Sequence, residues 1–131
     1  MSPANVEIVE RAIAAVNTRD VEAYLTCCTE DIELHTPVAA VGGVYEGPGG
    51  IRRFFSDIED AAPDFHLHVE SVRPVGDALL AFLNVTATGR ASGLPAGMPT
   101  ANVYEFANGK IRRVRIFADR QQALEAVGLS E

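Results

Sequence analysis

The stretch Ala101-Asn102-Val103-Tyr104-Glu105-Phe106-Ala107-Asn108-Gly109-Lys110-Ile111-Arg112-Arg113-Val114-Arg115-Ile116-Phe117-Ala118 decides the fold. Asn108-Gly109 is the strongest short hairpin signal, because both residues tolerate the positive φ of a two-residue turn. Alternating apolar residues on either side make residues 101–107 and 110–118 two antiparallel strands. Uninterrupted pairing sets Ala107 opposite Lys110, Glu105 opposite Arg112, Tyr104 opposite Arg113 and Asn102 opposite Arg115, and opposite residues share a face. One face then holds Val103, Glu105, Ala107, Lys110, Arg112, Val114 and Ile116. The other holds Asn102, Tyr104, Phe106, Ile111, Arg113, Arg115, Phe117 and Asp119. The aromatic-rich second face suits a concave, ligand-facing side, and it takes Arg115 with it. An unpaired buried charge is costly, so Asp119 or a ligand would have to serve as its partner. Glu105 and Arg112 are expected to form a cross-strand ion pair on the first face.

Upstream, Phe65 to Val72 alternates, Gly76-Asp77 makes a turn, and Ala78 to Thr88 reads as a long apolar strand, followed by an irregular loop from Gly89 to Pro99. The N-terminal half is helical. Val6, Val9, Ile13 and Val16 recur at three- and four-residue spacing over a helix from about Asn5 to Val16, and Asp20 caps a second from Val21 to about Cys28. Ile32-Glu33-Leu34-His35 is a short strand ending before Pro37. Residues 42–50 hold five of the eleven glycines but lack the order of a phosphate-binding loop, and read as a loop feeding a third helix, Ile51 to about Asp60. A last helix, Arg120 to Val127, ends at Gly128. The fold class is therefore α+β: three N-terminal helices packed on a strongly curved antiparallel or mixed sheet, in one domain over residues 1–131, enclosing a cone-shaped pocket.

The chain has 131 residues, 47% of them hydrophobic, and 11 basic against 18 acidic side chains for a net charge of −7. That composition supports one folded domain, argues against nucleic acid and anionic membranes as partners, and with no leader-like N-terminus points to the cytoplasm. Cys27 and Cys28 are adjacent, unsuited to an ordinary disulfide, and on a helix they would point about 100° apart, so that at most one is deeply buried.

Several segments together resemble a known family. Ala14-Ala15-Val16-Asn17-Thr18-Arg19-Asp20, Thr29-Glu30-Asp31-Ile32-Glu33-Leu34-His35-Thr36-Pro37, Tyr45-Glu46-Gly47 with Gly50-Ile51-Arg52-Arg53-Phe54-Phe55, Pro63-Asp64-Phe65, Ser92-Gly93-Leu94-Pro95, and Asn108-Gly109-Lys110-Ile111 leading to Phe117-Ala118-Asp119 are similar, in order, to the SnoaL-like branch of the nuclear-transport-factor-two-like superfamily. The resemblance implies a cone enclosing a pocket for a small hydrophobic organic molecule, and a homodimer formed through the convex sheet face. It also implies cofactor-free acid–base chemistry of the cyclase or isomerase type on a carbonyl-containing substrate, with a non-catalytic ligand-binding or dimeric interaction module, or an epoxide-hydrolase-like enzyme, as alternatives.

Asp119 and His35 are the candidate acid–base groups, His35 because imidazole titrates near neutral pH. Strict alternation from Ile32 and Leu34 would turn His35 away and Thr36 inward, whereas a bulge before Pro37 would reverse them. Asn102, Tyr104, Arg115, Phe117, Phe54 and Thr36 are candidate substrate contacts, with Phe55 a further candidate wall residue. Compared with the steroid isomerases of the superfamily, the tyrosine oxyanion donor falls on Ala12 and the aspartate base on Thr36, while the second oxyanion donor has a polar counterpart in Asn102. His66 and His68 with Glu70 fall on the face opposite Phe65, Leu67 and Val69, an arrangement that suits solvent or a dimer interface better than a metal.

Overall fold

The computed structural model describes residues 3–36, 43–61, 63–86 and 98–128. The elements are α1 (Pro3–Thr18), α2 (Val21–Thr26), β1 (Cys28–His35), β2 (Val44–Glu46), α3 (Gly47–Ala61), β3 (His66–Val75), β4 (Ala78–Thr86), β5 (Met98–Ala107), β6 (Lys110–Phe117) and α4 (Arg120–Ala126). The strands form one six-stranded sheet in the order β2-β1-β6-β5-β4-β3. Every neighbouring pair is antiparallel except β1 with β6, which run parallel, so the sheet is mixed. The α+β class and its three leading helices are as the sequence implies. No helix among the described residues is long and apolar enough to cross a membrane.

The sheet has two unlike faces. Its inner face buries Ile32, Leu34, Leu79, Ala81, Leu83, Tyr104, Ile111 and Val114 against Val9, Ile13 and Val16 of α1, Tyr24 of α2, and Ile51 and Phe55 of α3. A smaller cluster on the outer face packs Leu80, Ala101 and Val103 under Ala123 and Leu124 of α4.

The junction between α1 and α2 shows how the helices are fixed to the sheet. Arg19 takes φ of 59°, Arg19 N–H donates to the Val16 carbonyl at 3.2 Å, and Asp20 N–H donates to the Ala15 carbonyl at 2.8 Å. That is a left-handed helix stop usually made by glycine. The guanidinium offsets the strain by donating to the carbonyls of Val16, Pro63 and Phe65 at 2.6, 3.0 and 2.9 Å. Asn17 beside it bonds Leu67 twice, accepting from its N–H at 2.8 Å and donating to its carbonyl at 3.0 Å.

Four boundaries differ from the expectations. The helix α2 stops at Thr26, so Cys27 caps it and Cys28 opens β1; the helical 100° offset does not apply, and both thiols are buried. Tyr45 lies in a short strand, β2, and α3 begins at Gly47 within the glycine-rich run. Gly50 permits this, because a Cβ there would sit 2.9 Å from the Tyr45 backbone carbonyl carbon. The alternation of β3 breaks at a bulge between Val69 and Ser71. The expected continuation of β4 into Ala87 and Thr88, and the loop through residue 97, lie outside the described residues, whereas Met98 and Pro99 belong to β5.

Candidate functional site

The hairpin of β5 and β6 sets the site, and its register departs from uninterrupted pairing. Ala107 faces Lys110 and Phe106 faces Ile111, but Glu105 then faces Arg113, Tyr104 faces Val114, Val103 faces Arg115, Asn102 faces Ile116 and Ala101 faces Phe117. Arg112 is the extra residue of a bulge. One extra residue reverses the facing of everything beyond it. Arg113, Arg115 and Phe117 therefore leave the face of Asn102 and Tyr104 and join the outer one. The signal was present in the sequence: Arg112-Arg113 puts two consecutive charges between Ile111 and Val114, both of which are buried.

Arg115 consequently pairs with Glu105 at 3.0 Å, not with Asp119, and its guanidinium lies 6.0 Å from the Phe117 ring centroid. Glu105 also reaches Arg113 at 3.8 Å, while its expected partner Arg112 contacts Asp31 at 3.5 Å. Phe117 packs against the outer cluster. Asp119 is the exposed N-cap of α4, its carboxylate accepting from Gln121 N–H at 2.8 Å, which commits it to a helix terminus. His35 lies on the outer face, register partner of Arg115, with Nε2 3.0 Å from a Glu33 carboxylate oxygen. That contact first, and Arg113 after it, hold Glu33 below the usual carboxylate range. No bulge reverses the end of β1: Glu33, Leu34 and His35 pair in unbroken register with β2 and β6. Thr36 follows, half-buried, its N–H donating to the Gly43 carbonyl at 2.8 Å.

Asn102, Tyr104, Phe54 and Phe55 are candidates that lie on the inner side. The Asn102 amide is 4% exposed and donates from Nδ2 to the Tyr104 hydroxyl at 3.0 Å, while its Oδ1 is buried with no hydrogen-bond partner among the described residues. The sheet neighbours of Asn102 are Ala81 and Ile116, and those of Tyr104 are Leu79 and Val114, all apolar. An orphaned carbonyl oxygen in such surroundings costs about 1–3 kcal/mol, so its retention calls for an explanation. Burial pushes the Tyr104 phenol up to about 12, and burial raises Tyr24 well above its ordinary value with Cys28, Tyr104 and Cys27 adding to the effect. Both are therefore neutral hydroxyls at physiological pH. Cys28 is likewise pushed up to about 12, first by burial, so its thiol is inert.

An aromatic wall continues from this pair. Tyr24 meets Phe55 edge-to-face at 5.4 Å, Phe55 meets Phe54 at 6.0 Å, and Phe54 meets Tyr45 at 5.3 Å. At its end the Tyr45 hydroxyl donates to the Asp57 carboxylate at 2.6 Å, with the Arg53 guanidinium 5.2 Å from the ring. Helical spacing alone turns Asp57 away from the face of Phe54 and Phe55, so the sequence does not bring it to Tyr45. Their pairing depends on β2, which no alternation announces. An open groove of about 300 Å³ between α1 and α2, lined by Arg11, Ala14, Thr18 and Cys27 among others, is a separate feature. Among the described residues no group of three or more histidine, cysteine or acidic side chains is arranged to hold a metal.

A curved mixed sheet wrapped over three helices is the cone fold shared by cystatin-like and nuclear-transport-factor-two-like proteins. The chain belongs to the SnoaL-like domain family, whose sequence profile matches residues 9–114. Among solved structures it is similar to a cystatin-fold protein from Novosphingobium aromaticivorans, at 29% identity and a TM-score of 0.72 over 89% of this chain and 98% of that one. TerC, co-crystallised with polyporic acid, has a TM-score of 0.78 at 21% identity over 95% and 98% of the two chains. A candidate polyketide cyclase from Sinorhizobium meliloti has a TM-score of 0.71 at 22% identity over 84% and 93%. No curated protein matches the sequence.

Proposed function

We propose that this SnoaL-like domain binds a small, largely apolar organic molecule bearing a carbonyl or hydroxyl group, held against the inner sheet face by Asn102 and Tyr104. The observation that carries the reading is the buried Asn102 Oδ1, which lies among apolar sheet neighbours and has no partner among the described residues. Rotating the amide by 180° exchanges its oxygen and nitrogen while keeping one hydrogen bond to Tyr104, so Asn102 can meet a ligand hydroxyl as acceptor or a ligand carbonyl as donor. The edge-to-face cluster of Tyr24, Phe55, Phe54 and Tyr45 supplies aromatic side chains on the same inner side. The co-crystal of TerC with polyporic acid supports this class of ligand. The reading requires no cofactor. Two free buried thiols fit a reducing, cytoplasmic compartment, and we place a homodimer contact on the outer face by family resemblance.

A catalytic form of this reading is favoured by the place of Asn102, which corresponds to the second oxyanion donor of the steroid isomerases. An amide donating to a substrate carbonyl polarises it and stabilises negative charge that develops on its oxygen, as cyclase and isomerase chemistry requires. His35 and Asp119 do not serve as the base in this form, since one lies on the outer face and the other caps α4.

A thermal-shift screen of hydroxyquinones and aromatic polyketides, with polyporic acid as first probe, tests the binding. Wild type and Arg115→Ala should be stabilised alike and Asn102→Leu should not. The reading fails if no compound stabilises the wild type, or if hits persist undiminished in Asn102→Leu. Ligand-dependent deuterium exchange beside the carbonyl would distinguish catalysis from binding alone.

A further inference from the structure

The two histidines of β3 lie on the other side of the sheet from Asn102 and Tyr104. His66 and His68 are two residues apart on the outermost strand, so they share a face, and both are exposed. Their ring centroids are 4.6 Å apart with the planes inclined at 49°, which is neither a parallel stack nor a perpendicular edge contact. Thr86 stands opposite His66 in the register, and its hydroxyl lies 3.1 Å from His68 Nε2. Glu70, further along, is committed to Arg120 at 2.9 Å and Asn84 at 3.2 Å.

A borderline divalent metal sits roughly 2.0–2.1 Å from an imidazole nitrogen, which places it about 3.2 Å from the ring centroid. At a ligand–metal–ligand angle between about 90° and 110°, two such rings have centroids about 4.5 to 5.2 Å apart. The separation of 4.6 Å falls in that window. A metal-binding histidine also engages its second ring nitrogen with a neighbouring polar group, which fixes the ring and its tautomer. His68 has that feature: Thr86 takes up Nε2 and leaves Nδ1 for a metal.

We propose that His66 and His68 form a bidentate chelate for a borderline divalent cation of the Ni²⁺ or Zn²⁺ kind, with Thr86 as the residue that positions His68. Two nitrogen donors select such ions over Mg²⁺ and Ca²⁺, which require oxygen ligands. The remaining coordination positions are left to water or an external donor. The site is independent of the ligand reading for the inner face and stands or falls apart from it.

Calorimetric titration of the tag-free chain with NiCl₂ tests the proposal. One Ni²⁺ per chain should bind, Zn²⁺ should compete and Mg²⁺ should not. His66→Gln and His68→Gln should each weaken binding by at least about tenfold, and Thr86→Val by up to about tenfold, as loss of an outer hydrogen-bond partner does. His35→Gln should bind as wild type does. Because the replaced histidines are exposed, unchanged thermal midpoints will separate loss of the chelate from loss of fold. The proposal is overturned if the wild type takes up no Ni²⁺, or if the His66 and His68 variants bind as tightly as the wild type.

Discussion

Glu105 stands opposite Arg113, and Arg112, the partner that uninterrupted pairing would give it, is the residue left out of the ladder. The three arginines of β6 are thereby spread over Asp31, Glu33 and Glu105 on the outer side of the sheet. Arg115→Ala should then leave ligand affinity unchanged and cost no more than about 1 kcal/mol, the scale of a partly exposed ion pair. Deleting Arg112 removes the extra residue of the bulge and leaves Glu105 opposite Arg113, Tyr104 opposite Val114 and Val103 opposite Arg115, so Arg113 and Arg115 should keep the outer face. Chemical denaturation of the deletion variant should show a cooperative transition within about 1 kcal/mol of the wild type, the scale of the lost Arg112–Asp31 ion pair; loss of the cooperative transition would mean that the ladder does not continue in this register without the bulge.

Asn102→Leu combined with Tyr104→Phe removes both members of the buried hydrogen bond and the orphaned oxygen with them. Replacing both partners by apolar groups of similar shape is close to neutral or stabilising. The ligand-free double variant should melt at or above the wild-type temperature while losing its ligand-induced shift, a combination that simple damage to the core would not produce.

Gly50 and Gly49 are adjacent in α3 but meet different surroundings. A Cβ on Gly50 collides with the Tyr45 backbone, whereas a Cβ on Gly49 has nothing within 4 Å. Gly50→Ala should destabilise by about 1–3 kcal/mol through overpacking. Gly49→Ala should be neutral or stabilising by up to about 1 kcal/mol, because alanine is the better helix former. Urea midpoints of the two variants will show whether the signs differ.

Alkaline pH should weaken the fold. Cys28 and Tyr104 are both raised to about 12 by burial, from ordinary values of 9.0 and 10.0. A group raised in the folded state contributes its stability in full below its unfolded value and loses it as pH climbs toward the folded one. Urea midpoints should therefore hold steady up to about pH 9 and fall between there and pH 12. Cys28→Ala should flatten the early part of that fall, and an unchanged slope would show that the thiol is not the group responsible.

The helices and the Asn108-Gly109 hairpin were legible in the sequence because each rests on a local signal, spacing in the first case and turn chemistry in the second. Asn102, Tyr104 and Phe54 were placed correctly on the inner side, since they lie either before the bulge or on a regular helix face. Arg115 and Phe117 were not, because they lie beyond Arg112, and one miscounted residue inverts every later one. Asp119 fits a helix cap as well as an active site, and only the tertiary fold distinguishes the two. Cys27 and Cys28 were misjudged at an element boundary, where helical angles cease to apply.

The bond pair between Asn17 and Leu67 has a further consequence. Among the described residues β3 is an outermost strand with one side not paired to another, and an unpaired strand edge is where foreign chains add on. Leu67 offers neither its N–H nor its carbonyl to an intruder, since a single side chain from the first helix occupies both. A residue that reads as the close of a helix thus also guards the open margin of the sheet against polymerisation.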